Sequence, residues 1–91
     1  MAQVVITLKI MPESPETDLK KIEIKATEAI TAFGGHVGKV EIEPVAFGLK
    51  AVKLFFVMDE SKGSTEELET QIAKIEEVNS VEVTDVRRTI G

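Results

Sequence analysis

The sequence predicts an α+β sandwich, a four-stranded antiparallel sheet with two helices on one face. Four segments alternate apolar and polar residues or run apolar at strand length, and two space their apolar residues at helical intervals. Prolines and glycines fall between them and set the order strand, helix, strand, strand, helix, strand. At 91 residues the chain is long enough for one core and no second, so residues 1–91 read as a single domain.

The first strand sets Val4, Ile6, Leu8 and Ile10 against Val5, Thr7, Lys9 and Met11, and Pro12 and Pro15 close it. Ser14 before Pro15 reads as a helix start, a hydroxyl cap followed by proline at the first helical position. Glu16 and Asp18 then stand near the positive end of that helix. Leu19, Ile22, Ala26, Ala29, Ile30 and Phe33 share one face, and Gly34-Gly35 ends the helix.

Val37 to Glu43 alternates again, with Val40 and Ile42 on one side and Lys39, Glu41 and Glu43 on the other. Pro44 breaks this strand, and the short link to Gly48 favours a hairpin. Leu49 to Met58 is apolar on both faces apart from Lys50 and Lys53, the pattern of a central strand. Asp59 to Gly63 is a polar turn, and Ser64 with Glu67 reads as a capping box. Thr65, Leu68, Ile72 and Ile75 mark the second helical face, and Val81, Val83 and Val86 a last strand. This is the order of the ferredoxin-like βαββαβ architecture. The halves repeat the element order without a residue-level repeat.

Composition narrows the function. Eleven Lys and Arg against sixteen Asp and Glu leave a net charge of −5, a poor balance for gripping a phosphate backbone. RNA-binding domains of this architecture stack bases on aromatics of the two central strands, and the first strand here has none. Phe55 and Phe56 are adjacent, so at most one can reach the bare face of the sheet. With no cysteine there are no disulfides, thiolate metal sites or cysteine nucleophiles. The longest apolar run, Leu54 to Met58, is far below the ~20 residues that span a bilayer, and the N-terminus has no signal-peptide pattern. The chain reads as cytoplasmic, with no membrane, nucleic-acid or cofactor partner.

An acyl-phosphate hydrolase would need a phosphate-cradling loop after the first strand, where Met11 to Glu16 supplies acids and prolines. His36, the single histidine, has no visible catalytic partner, and a lone turn histidine is more often solvated or capping. From Asp59 to Glu77, seven acids oppose two lysines, a surplus equal to the chain's whole net charge. Such a stretch is usually a solvated face.

Two features stand apart. Pro44-Val45-Ala46-Phe47-Gly48 carries an aromatic at a turn, which either folds back on the core or projects as an interface anchor. Arg87-Arg88 pairs two cations near the end of an acidic chain, as plain surface charge or as a reach toward a phosphate or carboxylate.

With their surroundings, these stretches resemble the translation elongation factor 1-beta family, its archaeal form above all. Residues 11–16, 43–51 and 83–91 carry the likeness in order and spacing. The resemblance implies a guanine-nucleotide exchange factor for elongation factor 1-alpha, a catalyst of exchange with no bond-making chemistry and no nucleotide site of its own. In eukaryotic relatives an aromatic in the proline–glycine hairpin packs on the GTPase, and Phe47, framed by Pro44 and Gly48, matches it. Those relatives end in a lysine that enters the magnesium and phosphate region of the nucleotide site. Aligned without gaps, Arg88 takes that position with Arg87 beside it, while Ile90 and Gly91 extend further. Arginine is planar and fork-shaped where lysine is a compact point charge, a real departure. The rival reading is a regulatory domain of the same architecture that binds a small metabolite. It calls for a glycine-rich strand–helix junction, and the first junction carries prolines and acids.

Overall fold

The computed structural model describes residues 2–89. Its elements are β1 (Gln3–Pro12), α1 (Leu19–Phe33), β2 (His36–Pro44), β3 (Lys50–Asp59), α2 (Glu66–Ala73) and β4 (Val78–Thr89), with single 3₁₀ turns at Ala46–Gly48 and Glu60–Lys62. The strands form one antiparallel sheet in the order β2-β3-β1-β4. The expected ferredoxin-like sandwich is the observed one, and the apolar run expected from Leu49 to Met58 lies in a central strand from Lys50 onward, with Leu49 in the turn before it.

One face of the sheet carries the core. Ile6 pairs with Phe56, Leu8 with Leu54 and Ile10 with Val52, each at most 2% exposed. Ile22, Ala26 and Ile30 of α1 and Leu68 and Ile72 of α2 close over them. Strand residues two apart share a face, so the period-two pattern of β1 and the helical spacing of α1 meet in one layer. The other face is bare. Phe55 stands there with the ammonium groups of Lys39 and Lys53 at 5.5 and 5.8 Å from its ring centre.

In β2, Val37 and Val40 both pack on the core although they stand three positions apart, an odd step for a strand. The register with β3 shifts between Val37 and Lys39, and the extra residue is Gly38. This bulge returns the alternation to phase. Ile42, expected beside Val40, is 45% exposed on the edge strand. Val86 is 57% exposed for a different reason. The eight residues of α2 make a helix about 12 Å long, too short to cover the roughly 40 Å of the twelve-residue β4.

Both helix starts differ from expectation. The α1 cap is Asp18, whose Oδ1 accepts from the amides of Lys20 and Lys21 at 3.1 and 3.3 Å. Ser14 turns inward on its own loop instead. Its hydroxyl accepts from the Glu16 amide at 3.3 Å, and its amide donates to the Thr17 hydroxyl at 3.3 Å. A serine–threonine turn therefore holds Pro15 outside the helix. Likewise α2 starts one residue later than a Ser64 cap requires. Thr65 is its N-cap and donates its hydroxyl to Glu69, while Ser64 accepts from the Glu66 amide, so no Ser64–Glu67 box forms. The α1 exit is as expected: Gly34, at φ 104°, donates its amide to the Ile30 and Thr31 carbonyls.

Glu77, at the turn into β4, adopts φ 71°. Left-handed backbone costs a side chain about 1–2 kcal/mol, and glycine avoids this while losing about 0.5–1 kcal/mol of chain entropy. Glu77→Gly is expected to stabilise the domain by about 0.5–1 kcal/mol in urea titration. Its carbonyl would still accept from the Glu13 amide.

Candidate functional site

The candidate residues lie at opposite ends of the sheet. The β2–β3 hairpin closes with the Pro44–Lys50 pair, and the Val45 amide donates to the Leu49 carbonyl at 2.8 Å. Between them Ala46, Phe47 and Gly48 make one tight turn. Phe47 sits at φ 62°, ψ 30° and Gly48 at φ 76°. Glycine accepts this conformation without strain, whereas an aromatic side chain does not. The Phe47 ring gains no packing in return, for the residue is 94% exposed. Of the two readings left open for Phe47, the projecting one is observed.

Pro15 joins this end. A Cβ placed on Gly48 would meet the Pro15 ring at 4.0 Å, so the β1–α1 loop lies against the hairpin. Sequence reasoning assigned Pro15 to a helix start and gave it no part in the site. Only the serine–threonine turn brings it here, and no local pattern signals that. Two of the three stretches that carry the family likeness thus meet at one end, and the described part of the third, 83–89, runs along β4 to the other.

At that other end Arg87 and Arg88 project to opposite faces. Arg87 stands opposite Val5 on the bare side, its Nε donating to Asp85 Oδ2 at 2.9 Å. Arg88 stands opposite Val4, which packs on the core, and so belongs to the helix side. Its Nη2 meets Glu60 Oε2 at 3.0 Å. Ile90 and Gly91 lie outside the described residues.

The Glu60–Lys62 turn that presents Glu60 is tied down on several sides. The Glu60 amide donates to the Ala2 carbonyl at 3.1 Å, and Asp59 Oδ1 accepts from the Ser61 amide at 2.8 Å. That amide, with the Ser61 hydroxyl, holds the Asp59 carboxyl below the ordinary aspartate value of 3.8. The Lys62 stem crosses Gly34, where a Cβ would stand 2.6 Å from its Cε, bringing an ammonium to the negative end of α1. Ala2, Asp59, Glu60 and Ser61 line an open hollow of about 330 Å³.

Along β3 the eight steps from Lys50 to Met58 span roughly 27 Å, so Phe47 and Arg88 are about 30 Å apart. The molecule measures 42 × 21 × 17 Å, and this separation follows its long axis. Among the described residues, no group of three or more His, Cys, Asp or Glu is placed to hold a metal ion. No helix among them is long and apolar enough to cross a membrane.

This fold is that of a ferredoxin-like domain, with Phe47 exposed at one end of its sheet and Arg88 at the other. Residues 5–89 match the model of the EF-1 guanine nucleotide exchange domain. The chain belongs to that family. It is 47% identical to elongation factor 1-beta of Methanobrevibacter smithii and 43% identical to that of Methanothermobacter thermautotrophicus. Each alignment covers 97% of this chain and 98% of the relative. Elongation factor 1-beta of Staphylothermus marinus is 40% identical over the same shares. Its function is guanine-nucleotide exchange for elongation factor 1-alpha in translation elongation, and the metabolite-binding alternative is not favoured.

Solved structures bear on the fold alone. The ACT domain of GTP pyrophosphokinase from Chlorobium tepidum aligns with TM-score 0.60 at 16% identity, covering 89% of this chain and 97% of that one. The de novo designed protein Foldit4 aligns with TM-score 0.63 at 21% identity over 98% of both.

Proposed function

We propose that the domain accelerates GDP release by binding elongation factor 1-alpha more tightly when its nucleotide site is empty or distorted than when GDP fills it. Linkage then makes GDP and the domain weaken each other's binding equally. A thousandfold faster release corresponds to a barrier lower by about 4 kcal/mol, within reach of one buried aromatic anchor and one cation. Phe47, framed by Pro44 and Gly48, is the anchor at one end. Arg88 at the other end enters the magnesium and phosphate region of the partner, with Arg87 beside it. The domain makes and breaks no covalent bond, acts as one unit over residues 1–91 and works in the cytoplasm.

The observation that carries this reading is Phe47 itself, 94% exposed and strained, with no packing in its own fold to account for either property. The bare sheet face supports the absence of direct nucleic-acid contact. Lys9 pairs with Glu43 at 3.5 Å, Lys39 with Glu41 at 2.9 Å and Arg87 with Asp85, so much of its positive charge is matched by carboxylates.

Stopped-flow release of labelled GDP from the cognate GTPase is the test. Acceleration at micromolar domain is expected, and its absence sinks the reading, as does equal affinity for the GDP-loaded and empty partner. The arginines separate general attraction from a positioned cation. Arg88→Ala is expected to slow exchange about tenfold or more and Arg87→Ala less than twofold, because the two project to opposite faces. Equal losses would leave only diffuse charge attraction.

A further inference from the structure

We propose that Glu60 is a positioning residue for Arg88, a latch that holds its guanidinium in the unbound domain and surrenders it to an anionic group of the partner. The inference rests on the assignment of Arg88 to the partner's nucleotide site and adds what controls it.

The geometry is specific to one arginine. Glu60 Oε2 reaches Arg88 Nη2 at 3.0 Å, whereas Arg87 is occupied by Asp85 on the opposite face. Asp59 does not compete, since its carboxylate accepts from Ser61. Lys62 is drawn toward Gly34 at the end of α1. Among the described residues Glu60 is thus the carboxylate in ion-pair contact with Arg88. Its backbone is fixed by bonds to the Ala2 carbonyl and from the Gly63 amide, so the turn holds its shape whatever side chain it carries.

Exposure sets the strength. The Arg88 and Glu60 side chains are 67% and 44% exposed, which makes the pair a surface bridge that biases an equilibrium only a few-fold. Such a bridge breaks readily when a stronger anion arrives. Until then, the fraction of domains with Arg88 available is reduced, and apparent affinity for the partner falls in proportion.

Glu60→Gln keeps the shape and backbone bonds and removes the charge. Exchange kinetics on the GTPase–GDP complex at low salt are expected to show KM lowered about two- to fivefold with kcat unchanged. The difference should shrink by ~0.5 M salt. The same change in an Arg88→Ala background should do nothing. Asp85→Asn, which removes the same charge at the same end on the other face, should leave KM where it was. In the unbound domain, Glu60→Gln should shift the Nε–Hε NMR resonance of Arg88. An unchanged or raised KM, an unmoved resonance, or an equal effect without Arg88 overturns the latch. Full exchange by Arg88→Ala alone is a different failure, because it removes the assignment of Arg88 on which the latch rests.

Discussion

Replacing Phe47 with glycine is expected to slow GDP release from elongation factor 1-alpha thirty- to a thousandfold while raising the domain's melting temperature. The two effects have separate causes. Truncating a central aromatic anchor in an interface commonly costs about 2–4 kcal/mol, which is that range of rate if the contact forms on the way to release. Within the domain the ring contributes no burial, being 94% exposed, and its backbone is held at φ 62°. Glycine takes that conformation without steric cost, a net gain of about 0.5–1 kcal/mol after its larger chain entropy. For a domain of this size that raises the melting temperature by about 2–8 °C. Alanine keeps the strain and loses the ring, so Phe47→Ala should slow exchange equally without the thermal gain. Phe47→Trp should retain most activity. A glycine variant that exchanges at full rate removes the anchor, and one that unfolds more easily assigns Phe47 to structure.

Strand and helix order was open to sequence reasoning because each buried face repeats at the period of its own element. Ile6, Leu8 and Ile10 in β1 and Ile22, Ala26 and Ile30 in α1 are recognisable without coordinates for that reason. What escaped depends on contacts distant in sequence or on one-residue choices of phase. Ser14 and Asp18 are both good caps, and the choice falls to Asp18 because Ser14 bonds to Glu16 and Thr17 first. The Gly38 bulge that lets Val37 and Val40 share a face shows only in the register with β3. The exposure of Phe47 was equally hidden, since spacing cannot say whether a turn aromatic folds back. Glu60 was one acid among seven in its stretch, and only the pairing of β4 with β1 brings Arg88 to it.

That same pairing governs the second large effect, the product of the two end substitutions. Phe47 and Arg88 are about 30 Å apart along a sheet whose strands are joined by antiparallel pairing of β3 with β1 and of β1 with β4. Substitutions so far apart, with no shared contacts, normally add in free energy to within about 0.3–0.5 kcal/mol. Phe47→Ala with Arg88→Ala is therefore expected to slow exchange by the product of the single losses, at least about 300-fold, until release falls to the GTPase's own rate, the floor set by the roughly thousandfold acceleration. Additivity in kcat alone requires that both ends engage in the same rate-limiting step across a rigid domain. If Phe47 acts first in docking and Arg88 only in a later opening of the nucleotide site, the partition between KM and kcat differs. Phe47→Ala would then chiefly raise KM and Arg88→Ala chiefly lower kcat, with the product preserved in kcat/KM. A double variant no slower than Phe47→Ala alone would mean that Arg88 never reaches the partner's metal and phosphate region. The roughly 30 Å between the two groups would then have no role in exchange.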